Sequence, residues 1–139
     1  MKTVQKSLRV PQDVAQTLEE MAEASRRDFS SVANEMLDES VRMRRSPGIL
    51  FGDGPSGRRA RIAGTGIDVW EVVAAHKSMD RDWGRLRDAY HWLSQAQLRA
   101  ALGYYAAYPD GIDRHIARNE AWTPERLDAA HPALSASRR

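Results

Sequence analysis

The sequence predicts a mainly α protein in two parts. The first is a strand followed by two helices, and the second is a β-hairpin followed by a cluster of short helices. Three observations carry that reading. Residues 3–10 alternate with a period of two. Apolar residues then recur at helical spacing through residues 14–41. A Gly/Pro-rich stretch, Ser46–Arg59, separates a half with a single aromatic residue, Phe29, from a half that holds the other nine. With 139 residues and a net charge of +2, the chain is one ordinary domain or two small ones.

The first element is a strand. Thr3, Gln5, Ser7 and Arg9 alternate with Val4, Lys6, Leu8 and Val10, so one face is polar and the other apolar except at Lys6. Pro11 ends it and suits the first turn of a helix, where its missing N–H does no harm. Asp13 favours the positive end of that helix dipole. Val14, Leu18, Met21 and Ala22 form its apolar face. Arg26, Arg27, Asp28 and Phe29 read as a turn, with Ser30 as the N-cap of a second helix. Val32, Ala33, Met36, Leu37 and Val41 give that helix its apolar side.

One strand and two helices in about 45 residues bury too little to stand alone, and a lone strand leaves both edges unpaired. A homodimer solves both problems: two copies of the strand pair antiparallel over four interlocked helices. Such a ribbon fits the major groove of double-stranded DNA.

The second part begins with Gly48–Phe51 and Arg58–Ala63, read as two strands joined by a six-residue Gly-rich loop. Asp68 with Glu71, and Ser94 with Gln97, have capping-box spacing and open two helices. Asp80 or a close neighbour opens another, containing Trp83 and Leu86. Pro109 stops the helix that carries Leu98, Leu102 and Tyr105, and Ile112 and Ile116 mark a further helical segment. Trp70, Trp83, Trp92, Tyr104 and Tyr105 are expected in the core. Thr123-Pro124 opens a short tail helix. The resulting division is 1–46, 48–119 and a tail, 120–139.

Charge is unevenly spread. Lys2, Lys6 and Arg9 stand without an acid in residues 1–10. Eight acids face only Arg26 and Arg27 in residues 11–41. Six arginines then face Asp53 alone in residues 42–61. Clustered cations of this kind suit a polyanionic partner.

Enzyme chemistry is not predicted. His76, His91, His115 and His131 lack metal-ligand spacing, and there is no Cys. Asp80 with Asp82 and Asp110 with Asp113 sit at helix starts, where capping accounts for them. GDGPSGRR lacks the Lys-Ser/Thr of a phosphate loop. No catalytic residue, metal or cofactor is therefore expected. No apolar run reaches the length of a membrane span, and the N-terminus carries no secretory signal, so a cytoplasmic protein is expected.

The order of elements in QKSLRVPQDVAQTLEEMAEASRRDFSSVANEML resembles the ribbon-helix-helix family of bacterial repressors and antitoxins. That resemblance implies base reading by the outward strand residues Gln5, Ser7 and Arg9. It implies phosphate contacts at Lys2, Lys6, Ser30 and Ser31, the last two at the amides that open the second helix. Arg9 matches the two acceptors of guanine, and Gln5 matches adenine. The family commonly has Gly in the turn where this chain has Arg26-Arg27-Asp28. RRARIAGTGIDVWEVV and LSQAQLRAALGYYAAYPDGID are similar to the family called domain of unknown function 433, over roughly residues 49–115. Its members include VapB-type antitoxins, with a hairpin and a homeodomain-like helical cluster. Gly66 and Asp68 depart from it, standing where the family often has Arg and Pro. Together the resemblances imply an antitoxin that represses its own operon and neutralises a partner toxin, a PIN-like ribonuclease. Trp122, Leu127 and Leu134 in the sparse tail are the candidate toxin contacts. The alternative is a stand-alone dimeric repressor without a toxin.

Overall fold

The computed structural model describes residues 2–55 and 57–121. Six helices and one two-stranded sheet lie among them: α1 (Gln12–Ser25), α2 (Phe29–Arg45), β1 (Ile49–Gly54), β2 (Gly57–Ile62), α3 (Val69–Ser78), α4 (Trp83–Ala89), α5 (Gln95–Ala107) and α6 (Pro109–Ala121). The chain divides into two compact units, Met1–Arg44 and Arg45–Arg139.

In the first unit, residues 2–10 are exposed and belong to no sheet. The strand expected from their alternation is therefore not formed within the single chain. Pro11 precedes α1 with φ −53° and ψ 142°, the extended entry expected of it. The helix ends on Arg26, whose φ of 56° lies in the left-handed region. The Arg26 N–H bonds to the Glu23 carbonyl at 3.2 Å and the Arg27 N–H to the Ala22 carbonyl at 3.0 Å. This is the ending that glycine normally provides, here made by an arginine at a conformational cost of about 1 kcal/mol.

The cap of α2 differs from expectation. The helix starts at Phe29, and the Ser31 N–H donates to Asp28 Oδ1 at 2.7 Å. Asp28 is therefore the cap, and Ser30 stands in the first turn. The Ser31 backbone and hydroxyl hydrogen bonds hold the Asp28 carboxyl below its ordinary value. The two predicted apolar faces exist but are barely covered. Among the described residues of this unit only Ala22, Val32 and Glu39 are buried, while Val14, Met21, Met36, Leu37 and Val41 are 40–54% exposed.

The second unit has a closed core. Its hairpin is antiparallel, with Ile49 opposite Ile62 and Gly54 opposite Gly57. The strands thus extend into the stretch read as a six-residue loop. Ile49, Ala60 and Ile62 bury one face of the hairpin. They join Val69, Val72 and Val73 from α3, Leu86 from α4, Leu98, Ala101 and Tyr104 from α5, and Ile112 and Ile116 from α6. Phe51 meets Tyr104 edge-on at 6.1 Å between ring centres.

Local capping fixes where these helices begin. The Asp68 N–H donates to Glu71 Oε2 at 2.8 Å. At α5, the Gln97 N–H donates to Ser94 Oγ at 3.1 Å and the Ser94 N–H to Gln97 Oε1 at 2.8 Å. Both expected boxes form. The cap of α4 is Asp82, whose Oδ1 accepts the Arg85 N–H at 3.0 Å. Asp80 lies upstream in a tight turn, with φ of 54° there and 58° at Arg81. One aromatic was misplaced: Trp92 is 61% exposed in the α4–α5 connection, beside Tyr90 and His91. Trp70, Trp83 and Tyr105 are half-buried against the core, and Tyr104 is buried.

Candidate nucleic-acid interface

The residues expected to meet DNA fall into two groups. Lys2, Gln5, Lys6, Ser7 and Arg9 are all exposed. The same is true of Val4 and Leu8 on the alternate face, at 78% and 70%. Both faces of the segment are therefore open in a single chain.

The opening of α2 is more complicated. Ser30 and Ser31 are exposed. The Ser31 amide, however, already donates to the Asp28 carboxylate. A helix start attracts phosphate because its free N–H groups and dipole favour an anion. Here a built-in anion holds that position. Arg27 partly offsets it, with Nη1 3.1 Å from Glu35 Oε1 and Nη2 3.4 Å from the Ser31 carbonyl. Any phosphate approaching this turn meets Asp28 as well as the cations Arg26 and Arg27.

The second cationic stretch is largely neutralised within the chain. Arg42 pairs with Asp38 at 3.1 Å and Arg58 with Asp53 at 3.2 Å. Arg59 Nη1 and Arg61 Nε reach the two oxygens of Asp68 at 3.0 and 2.8 Å. Of the six arginines, Arg44 and Arg45 are exposed and stand outside these pairs. Counting charges along the chain overstates what this stretch offers a polyanion.

Asp68 is the residue that sequence reasoning undervalued. It was read as a helix cap, which its backbone N–H does serve. Its carboxylate, 7% exposed, also accepts the Trp70 indole N–H at 3.2 Å. Burial pushes this carboxyl up, but the hydrogen bonds from Arg61, Arg59 and Trp70 outweigh it and hold the group below its ordinary value. Gly52 and Gly54 leave room for the two arginine side chains. A Cβ on Gly52 would stand 2.8 Å from Arg61 Nη1, and one on Gly54 would run into the Arg59 guanidinium. The signal was present in the sequence: two glycines spaced by two on one strand lie diagonally across from two arginines spaced by two on the other. Trp70 stacks on His115 of α6 with ring centres 4.6 Å apart. Burial, then the nearby Arg59 and Arg118, push the His115 imidazole down.

No cluster of three or more potential metal ligands occurs among the described residues. Nor is any helix among them long and apolar enough to cross a membrane. Trp122, Leu127 and Leu134 lie outside the described residues.

Comparison with known proteins adds a family. Residues 44–105 match the family described as "Protein of unknown function (DUF433)". No curated protein matches the chain. Among solved structures, the chain is similar to a DUF433 member protein from Anabaena variabilis ATCC 29413. Identity is 30%, over 78% of this chain and 99% of that one, with a TM-score of 0.43.

Proposed function

Since this chain belongs to the DUF433 family through residues 44–105, we propose that residues 1–44 add a ribbon-helix-helix module to that domain. The protein is then a homodimeric, sequence-specific DNA-binding antitoxin. It represses its own operon and neutralises a partner toxin. The toxin half of this reading rests on the resemblance of residues 49–115 to a family with VapB-type members.

The DNA-binding half is carried by one observation. Nine large apolar side chains of the first unit are at least 40% exposed: Val4, Leu8, Val10, Val14, Met21, Phe29, Met36, Leu37 and Val41. Fully burying a side chain of this size returns about 1.5–3 kcal/mol, so leaving nine of them in water is costly. A second copy is the partner that fits, because it supplies a matching strand as well as matching helices. Antiparallel pairing of two copies of residues 3–10 turns Val4, Leu8 and Val10 onto the helices. It offers Gln5, Ser7 and Arg9, twice over, to the major groove.

Sedimentation equilibrium combined with fluorescence anisotropy on the DNA upstream of the gene tests it. The expected result is a dimer that binds this DNA and loses affinity steeply with salt. A monomer at micromolar concentration, or a flat salt titration, overturns the reading. Co-expression with the product of the neighbouring reading frame tests the toxin half. Capture and inhibition of a ribonuclease support it. DNA binding without capture favours the stand-alone repressor.

A further inference from the structure

The second unit contains a cleft of about 200 Å³ between α3, α5 and the turn that follows α3, lined by Val73, His76, Lys77, Arg81, Leu102 and Tyr105. Its floor is apolar, from Val73 and Leu102, and its rim is basic. Two features hold the rim in place. The first is the turn after α3, where Asp80 and Arg81 both adopt left-handed φ, at 54° and 58°. Two adjacent non-glycine residues in this region cost on the order of 1–3 kcal/mol each. The turn closes through the Arg81 N–H, which donates to the His76 carbonyl at 2.8 Å. Arg81 lines the cleft together with His76 and Lys77.

The second feature fixes Lys77. Its Nζ lies 3.2 Å from Asp113 Oδ1 and 4.9 Å from the centre of the Tyr105 ring. Tyr105 donates its hydroxyl to the same Asp113 oxygen at 2.7 Å. Asp113 therefore orients both a cation and an aromatic wall, and it cancels only one of the rim charges. Arg81 is exposed and has no ion pair among the described residues.

We propose that this cleft binds a small organic carboxylate, with its apolar body on Val73 and Leu102 and its head on the Arg81 guanidinium. An arginine can grip a carboxylate through two parallel hydrogen bonds. The volume lies below the range of about 300–1,000 Å³ typical of drug-sized ligands, which restricts the occupant to a single ring or a short branched chain. The site belongs wholly to the second unit, so it stands or falls independently of the DNA-binding reading.

The test is an NMR titration of the full-length, ¹⁵N-labelled protein with benzoate, and with benzamide as its uncharged counterpart. Benzoate is expected to give saturable shifts centred on Val73, His76, Lys77, Arg81, Leu102 and Tyr105, in the millimolar range or below. Benzamide is expected to bind about tenfold more weakly or worse, because the charge-assisted contact is lost. Arg81→Gly removes the guanidinium while relieving the left-handed strain, so the fold is retained, and it is expected to weaken benzoate by about tenfold. Absence of saturable shifts with benzoate, equal binding of the two probes, shifts centred elsewhere, or unchanged affinity in Arg81→Gly would each overturn the proposal.

Discussion

The Asp68 carboxylate accepts the Arg61 Nε–H at 2.8 Å, tying the start of α3 to the second strand of the hairpin. Arg61 continues to the Asp53 carbonyl on the opposite strand, 3.0 Å from its Nη2. A single buried acid thus joins both strands to the helical cluster, with Arg59 and Trp70 as its other partners. Removing that acid takes one acceptor from each of Arg59, Arg61 and the Trp70 indole. Asp68→Ala is expected to destabilise the protein by about 2–3 kcal/mol, less than for a fully buried pair because the guanidiniums are partly exposed. Urea unfolding of the second unit, followed by tryptophan fluorescence, measures this. A loss below about 0.5 kcal/mol, the level of an ordinary surface change, would show that the network contributes little.

The same cluster gives the protein two acid-sensitive steps. The His115 imidazole is pushed below its ordinary value of 6.5. The folded state therefore favours the neutral ring. Its contribution is complete above pH 6.5 and is lost as pH falls through the lowered folded value. The Asp68 carboxyl is held below 3.8. Its contribution is present above that pH and is lost as pH falls through its own lowered value. Stability measured against pH is expected to decline in two stages, and His115→Gln is expected to remove the upper one. An unchanged upper stage in that variant assigns the step to another group.

Arg26 ends α1 in the left-handed region, at φ 56°. Glycine adopts this conformation freely. Arg26→Gly is expected to stabilise the first unit by about 0.5–1 kcal/mol, the relief of φ strain outweighing glycine's greater flexibility when unfolded. Thermal unfolding followed by helical circular dichroism is the measurement. A lower melting temperature would show that the Arg26 side chain supplies more than its backbone strain costs.

Asp28 accepts the Ser31 amide N–H, a donor that the proposed function assigns to a DNA phosphate. Asp28→Asn keeps the cap and removes the charge. Under the proposed function it is expected to tighten DNA binding about threefold to thirtyfold, a helix-end charge being worth about 0.3–1 kcal/mol at each of two symmetric sites. Anisotropy titrations at matched salt check this. Unchanged affinity would place the α2 opening away from the DNA backbone.

Arg9→Ala is expected to cost about 1–3 kcal/mol of DNA affinity and to relax the preference at one base pair per half-site. Ser7→Ala is expected to be milder. Equal binding by the parent and Arg9→Ala would contradict the assignment of the base readers.

What could be read from the sequence was mostly local. The boxes at Asp68/Glu71 and Ser94/Gln97 involve residues three apart, and spacing alone specifies them. The hairpin was legible as two strands, but its turn was not. Gly52, Gly54 and Gly57 looked like loop residues, whereas Gly52 and Gly54 are strand positions that clear space for Arg61 and Arg59. That role depends on side chains across the sheet. The α2 cap was misread because Asp28 and Ser30 are both competent caps, and only the backbone places Phe29 inside the helix. Trp92 was assigned to the core by its aromatic character, yet it sits where the chain turns between two helices and faces solvent. Residues 3–10 are a different case. In the proposed dimer, their alternation describes half of a structure whose other half comes from a second copy of the chain.

That segment is where the account is most directly tested. The chain contains no Cys, so Gln5→Cys, Ser7→Cys and Arg9→Cys each introduce a single thiol. Strands paired antiparallel about a two-fold axis bring one residue and its own copy to a Cα separation of about 4.5–5.5 Å, within reach of a disulfide. Disulfide formation under mild oxidation, with or without DNA, is the measurement. The account predicts a covalent dimer formed efficiently at one of the three positions and poorly at the others. Uniformly low yields at all three positions would contradict it.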